Sequence, residues 1–122
     1  MVYLIRITVE WTHLGNRLEI AGHAGMMDQG KDIDLCCCAC STILYTWCAH
    51  LMREEDAGRL SFRSQQLEKG FGSVRATAAD GEYLRLKGGF DTILDGIKLL
   101  REKYPEAIQI TYINNDNKER SA

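Results

Sequence analysis

Hydrophobic and polar residues alternate from the start of this chain. Tyr3, Ile5, Ile7 and Val9 fall on one side, and Leu4, Arg6, Thr8 and Glu10 on the other. That period of two, rich in β-branched residues, predicts a strand with one buried face. The alternation resumes at Leu18, Ile20 and Gly22, after a stretch from His13 to Asn16 in which Gly15-Asn16 supplies turn chemistry, so a hairpin is expected. From Leu35 the spacing turns helical, with Ile43, Leu44, Trp47, Cys48, Leu51 and Met52 on one broad face. Asp32 or Asp34 can cap that helix by accepting backbone N–H bonds, and Asp56 and Gly58 can end it.

Leu60 and Phe62 open a third strand, and the polar run from Gln65 to Gly70 reads as a turn. A fourth strand follows, in which Phe71, Ser73, Arg75 and Thr77 alternate with Gly72, Val74, Ala76 and Ala78. Tyr83, Leu86, Phe90, Ile93, Ile97, Leu100 and Tyr104 then recur at helical spacing, an amphipathic stripe. Gly88 and Gly89 each cost about 1 kcal/mol inside a helix, so the first turns are expected to fray or begin later. Pro105 ends the helix, and Ile108, Ile110 and Tyr112 make a last strand. The order β-β-α-β-β-α-β predicts an α/β (α+β) fold with two helices covering a mixed sheet. One domain is expected over residues 1–113, followed by a polar tail over 114–122.

Composition narrows this picture slightly. A chain of 122 residues with 45% hydrophobic and 26% charged positions has the size and balance of one globular domain. A formal charge of −2 makes no electrostatic case for nucleic acid or an anionic membrane as partner. No apolar run is expected to reach the roughly 20 residues of a membrane span, and the N-terminus lacks a signal-peptide pattern. A cytoplasmic protein is the expectation.

Candidate chemistry concentrates between Ala21 and Ser41. Cys36, Cys37, Cys38, Cys40 and Cys48 are odd in number and crowded together, so a disulfide framework is a poor reading and reduced thiols the simpler one. With Asp34 as N-cap, Cys37 takes the third helical position, where unpaired N–H groups and the helix dipole favour a thiolate. His23, at the end of the hairpin, can face it and lower the thiol pKa further. That is a Cys/His dyad; the plainer alternative is a structural cysteine beside an incidental loop histidine. Zinc held by these thiols with His13, His23 or His50 is disfavoured, because side chains on one helix turn diverge and no second ligand pair exists. Cys37 and Cys40 also form a Cys-x-x-Cys, yet a thioredoxin-like site usually has a proline opposite, and Pro105 follows the last helix. No metal or other cofactor is expected. Cys38, Cys40 and Cys48 are explained as small hydrophobes.

These residues together resemble a known family. Gly22-His23-Ala24-Gly25, a glycine-containing loop, and Asp34-Leu35-Cys36-Cys37-Cys38-Ala39-Cys40-Ser41 are similar to the GHA and DIVCAAVS segments of the bacterial ribosomal-processing cysteine protease Prp, with Asp34, Cys37 and Ser41 aligned. Gly96 to Leu100, Lys103-Tyr104-Pro105 and Ile108 to Ile110 look like that family's last helix and strand. The resemblance implies a homodimeric cysteine endopeptidase that removes the N-terminal extension of a large-subunit ribosomal protein. In that reading Cys37 attacks, His23 is base and then acid, and Gly22, Asp34 and Ser41 are supporting positions. Backbone N–H groups near Cys37 would form the oxyanion hole, and residues 25–33 would gate the site. The chain departs from the pattern in about two extra residues between His23 and Cys37. Placing them later puts Leu35 at the nucleophile position, and Cys36 is the fallback nucleophile. The rival class is a non-catalytic module on the same fold that binds a peptide, or uses its thiols for packing or metal.

Overall fold

The computed structural model describes residues 4–22 and 31–115, with the side chains of 31–34 set aside. Its elements are β1 (Ile5–Thr12), β2 (Gly15–Ala21), α1 (Lys31–Asp56), β3 (Leu60–Glu68), β4 (Phe71–Ala78), α2 (Tyr83–Lys103) and β5 (Ile108–Asn114). The five strands form one sheet in the order β3-β4-β2-β1-β5. The β1–β2, β2–β4 and β3–β4 pairs are antiparallel, while β5 lies parallel to β1. A parallel neighbour requires a crossover, and α2 provides it.

Register explains why one sheet face is apolar. Val9 pairs with Leu18, and Leu18 with Val74, so the three side chains stand in a row on the same face. None of them has any exposed surface, and Ile7, two residues before Val9, is 1% exposed. Both helices cover this face. Trp47 of α1 meets Phe90 of α2 with ring centroids 5.5 Å apart, and Phe90 meets Trp11 of β1 edge-on at 6.2 Å. The alternate residues face away from the helices and are polar: Arg6, Thr8 and Glu10 on β1, Arg17 and Glu19 on β2, Ser73 and Arg75 on β4. There Arg17 donates to Glu10 at 2.7 Å and to Glu19 at 2.7 Å. The fold is therefore the expected mixed sheet with two helices, in two layers.

Several boundaries differ from expectation. The first turn is His13-Leu14, with Leu14 in the left-handed region at φ 58°, and Gly15 and Asn16 belong to β2. Gly15 is there because a Cβ would lie 2.2 Å from the Ala76 carbonyl oxygen on β4. The segment Gln65–Glu68 is strand, and the turn is Lys69-Gly70. As an edge strand, β3 exposes most of its residues, so its polarity mimics a turn. Helix α2 is continuous from Tyr83, through both glycines; Gly89 is where it closes on α1, a Cβ there coming within 3.3 Å of the Trp47 ring. Strand β5 reaches Asn114, and the Asn115 N–H donates to the Trp11 carbonyl at 2.9 Å, inside the segment expected as tail; residues 116–122 lie outside the described part.

The largest correction concerns α1. It begins at Lys31, so Asp32 and Asp34 lie within it rather than at its cap. Within Leu35–Asp56 an 18-residue window has a mean hydropathy of 1.5, so the helix is long and apolar enough by composition to cross a membrane, against the expectation of no such run. The inner face of α1 nevertheless packs on the sheet through Leu44, Trp47 and Leu51. Met52, expected on that face, is 49% exposed.

Candidate active site

The site is built where the end of β2, the β3–β4 turn and the first half of α1 converge. At the end of β2, Gly22 has φ +121°, and a Cβ there would sit 2.4 Å from the Leu4 carbonyl oxygen. No other residue fits that backbone. The Gly22 N–H donates to the Gly70 carbonyl at 2.9 Å, which ties the strand end to the β3–β4 turn. The residue preceding His23 is thus fixed both by conformation and by a hydrogen bond. His23 itself lies outside the described residues, as do the gate expected over 25–33 in its part up to Gly30 and the side chain of Asp34.

Helix α1 sorts its thiols by direction. Cys36 and Cys40, one turn apart, point into the core at 0% and 2% exposure. Burial pushes the Cys36 thiol up, a hydrogen bond with Cys40 opposing it. Burial also raises Cys40, to about 12, with Cys36 and Cys37 nearby adding to the effect. Cys48 is buried and likewise raised by desolvation. Cys38 points outward to solvent, and Cys37 is half-buried. No disulfide joins any of the five. Helical side chains diverge by position, and the partly exposed thiol on the side of the β3–β4 turn is Cys37.

There Cys37 opens on a small cleft of about 80 Å³ that is continuous with solvent. On the helix side Cys40, Ser41, Leu44 and Tyr45 line it beside Cys37; on the sheet side Gly22, Leu67, Glu68 and Phe71 do so. Three of the expected site residues, Gly22, Cys37 and Ser41, are therefore brought to one cleft. The fallback nucleophile Cys36 is not: it is sealed in the core with a raised pKa, both of which oppose thiolate chemistry. In the other register Leu35 would stand at the nucleophile position, and it is 58% exposed on the outer side of α1.

One expected source of activation is absent. Since α1 begins at Lys31, the four unpaired N–H groups of its N-terminus belong to residues 31–34, and Cys37 is in the second turn. The dipole effect fades within the first turn. Sequence reasoning also missed the apolar wall of Leu44, Tyr45, Leu67 and Phe71, and the carboxylate of Glu68 at the rim. The signal that finds Leu67, Glu68 and Phe71 is the β3–β4 register, which pairs Leu67 with Gly72 and Glu68 with Phe71 around the turn; Leu44 and Tyr45 follow Cys37 along α1.

The arrangement defines an α+β domain that presents one partly exposed thiol of a cysteine-rich helix, Cys37, to a solvent-open cleft. The chain belongs to the cysteine protease Prp family, whose sequence model matches residues 4–109. Membership makes a cysteine protease, and hence a hydrolase, the class of protein at hand. The fold is similar to that in the crystal structure of SMU.848 from Streptococcus mutans, with a TM-score of 0.67 and 21% identity over 91% of this chain and 95% of that one. At that identity the likeness speaks for the fold alone. Among curated proteins none matches this chain.

Proposed function

We propose that this chain is a cytoplasmic cysteine endopeptidase in which Cys37 is the nucleophile and His23 the general base. The carrying observation is the sorting of thiols on α1: two of them line the cleft, and of these Cys37 is partly exposed while Cys40 is 2% exposed; Cys36 is buried and Cys38 faces solvent. In a family of cysteine proteases, an accessible thiol on an open cleft supports Cys37 as the nucleophile. With Cys37 beyond the reach of the helix dipole, formation of its thiolate falls to His23.

The reaction then runs through an acyl-enzyme. His23 takes the Cys37 proton, and the sulfur attacks the scissile carbonyl carbon, forming a C–S bond as the carbonyl π electrons move to oxygen. Collapse of the tetrahedral adduct breaks the C–N bond, and the imidazolium passes its proton to the leaving amine. Water, deprotonated by His23, attacks the thioester and releases the acid, and the thiolate recovers its proton. Gly22 fixes the backbone ahead of His23, and Ser41 stands one helical turn from Cys37 on the cleft side. The substrate we assign is the N-terminal extension of a large-subunit ribosomal protein, cut by a homodimer.

The test is incubation of the full chain with a peptide spanning such an extension, read by mass spectrometry. Cleavage at one bond, lost in Cys37→Ala and kept in Cys36→Ala, is the expected outcome. An intact peptide with the wild-type protein, or undiminished cleavage by Cys37→Ala, overturns the proposal. Saturable binding without turnover would instead establish the non-catalytic module.

A further inference from the structure

The proteolytic reaction uses one sulfur of α1, and the Cys-x-x-Cys formed by Cys37 and Cys40 is left over from it. Cys40 stands where the DIVCAAVS segment has valine, so a second thiol beside Cys37 belongs to this chain and not to the segment it resembles. Both residues line the same cleft, Cys37 partly exposed and Cys40 2% exposed.

Helix geometry decides which thiol can bond to Cys37. A disulfide holds its Cα atoms roughly 4.4–6.8 Å apart. Sequence neighbours are only about 3.8 Å apart, which removes Cys36 and Cys38. Cys48 follows Cys37 by eleven residues, about 16 Å along the axis at 1.5 Å per residue. Three residues along a helix of radius about 2.3 Å separate Cα atoms by about 5 Å, so Cys40 alone is within reach of Cys37. Cys36 and Cys40 also fall in range at about 6 Å. At 0% and 2% exposure, however, neither of those two is the first to meet an oxidant from solvent.

We propose that Cys37 and Cys40 are a peroxide-reactive pair, in which a hydroperoxide oxidises Cys37 and Cys40 closes a reversible disulfide onto it. Exposure assigns the roles, since susceptibility to oxidation follows thiolate character and access. The Cys37 thiolate attacks one peroxide oxygen. An S–O bond forms, the O–O bond breaks, and the sulfur gives up two electrons as the leaving oxygen takes a proton. The product is a sulfenic acid on Cys37. The Cys40 sulfur then attacks that sulfur; the S–S bond forms, the S–O bond breaks, and the hydroxyl leaves as water with the Cys40 proton. Two thiols and one hydroperoxide thus become a disulfide, water and an alcohol, or a second water from hydrogen peroxide. Burial, with Cys36 and Cys37 adding to it, raises the Cys40 thiol to about 12, so it does not compete for peroxide itself. Conversion of Cys37 to the neutral sulfenic acid withdraws one of those causes, the charge on Cys37. Held within one helical turn in the same cleft, Cys40 then reacts as an intramolecular neighbour.

The disulfide halts oxidation at a recoverable stage. A sulfenic acid left alone proceeds to sulfinic acid, which thiols do not reverse, whereas a dithiol returns a disulfide to two thiols. Formation of the bond is independent of the protease reading; loss of cleavage on oxidation and its return on reduction rest on it.

The test treats the full chain with a few equivalents of hydrogen peroxide, then denatures, alkylates and maps it by tandem mass spectrometry. A Cys37–Cys40 bond within one chain is expected, with both residues lost from the alkylated set and returned to it by dithiothreitol. In Cys40→Val the same treatment is expected to carry Cys37 to sulfinic acid, which dithiothreitol leaves in place. Should that variant fail to fold by circular dichroism, Cys40→Ser replaces it, and the wild-type map decides if neither folds. Peptide cleavage by the wild type is expected to fall roughly tenfold or more on oxidation and to recover with dithiothreitol, because a disulfide offers no thiolate. A chain that forms the bond yet cleaves no peptide in either state counts against the protease reading and leaves the pair standing. Sulfinic acid on Cys37 of the wild type with Cys40 still alkylated overturns the inference. So does a bond from Cys37 to another cysteine or to a second chain, a Cys36–Cys40 bond with Cys37 reduced, or a Cys37 that peroxide leaves untouched.

Discussion

Glu54 offers a quantitative test of how α1 is held in place. It is 4% exposed, the most deeply buried charged residue among the described ones, and lies in the last turns of α1. Its carboxylate accepts from Arg85 Nε at 2.5 Å and Nη2 at 3.3 Å, on α2, and from Arg59 Nη1 at 2.8 Å, just beyond α1. The Arg85 hydrogen bond holds the carboxyl below its ordinary range, with burial opposing and Arg59 adding to the lowering. Glu54→Gln keeps the shape and removes the charge. Hydrogen bonds to charged groups are worth about 1.5–3 kcal/mol each, but both arginine side chains are over a third exposed and can rehydrate. The net loss is therefore set at about 2 kcal/mol, below the roughly 3–5 kcal/mol of a fully buried pair broken on one side. The assay is urea unfolding followed by the fluorescence of Trp11 and Trp47, where at a slope near 1.5 kcal/mol per molar the midpoint falls by about 1.3 M. The pH dependence has a definite sign. A carboxyl with a depressed folded pKa stabilises fully above its unfolded value, so the wild-type advantage is complete at pH 7 and disappears as pH falls below about 4 through the folded pKa. A midpoint unchanged at pH 7, or a difference that persists unaltered to pH 2, refutes the reasoning.

Two further outcomes follow from the site. Gly22→Ala forces a Cβ against the Leu4 carbonyl at a φ that L residues avoid, and is expected to cost about 3 kcal/mol in urea unfolding and to lower peptide cleavage with Cys37 intact; wild-type stability would contradict the assigned backbone. Alkylation at pH 8 with peptide mapping is expected to label exposed Cys38 readily. Cys40, raised from 9.0 to about 12, should react roughly a thousandfold more slowly until urea is added. Equal rates at Cys38 and Cys40 in the folded protein would show that the thiols are not sorted as described.

What the sequence made legible depended on how each element is buried. The stripe on α2 could be read because charged residues separate its apolar ones, and Leu86, Phe90 and Ile97 are three of its four buried residues; the fourth, Leu94, lies beside the expected Ile93, which is only partly buried. Strand β3 could not be followed through Gln65–Glu68, because an edge strand exposes polar residues on both faces. The role of Gly15 was hidden because its cause, the Ala76 carbonyl, is a tertiary neighbour. In the site, the run from Gly22 to Ser41 pointed to Gly22, Cys37 and Ser41, residues that carry the motif. The cleft wall contributed by Leu67, Glu68 and Phe71 emerges only from strand pairing. Helix α1 failed in a different way. Apolar residues occupy both its sides, so spacing alone could not tell Leu51, fully buried, from Met52, half exposed. Periodicity identifies a face only when the other face is solvated. A helix that reads as apolar all round, with one side against its own sheet, has a second side that water does not account for.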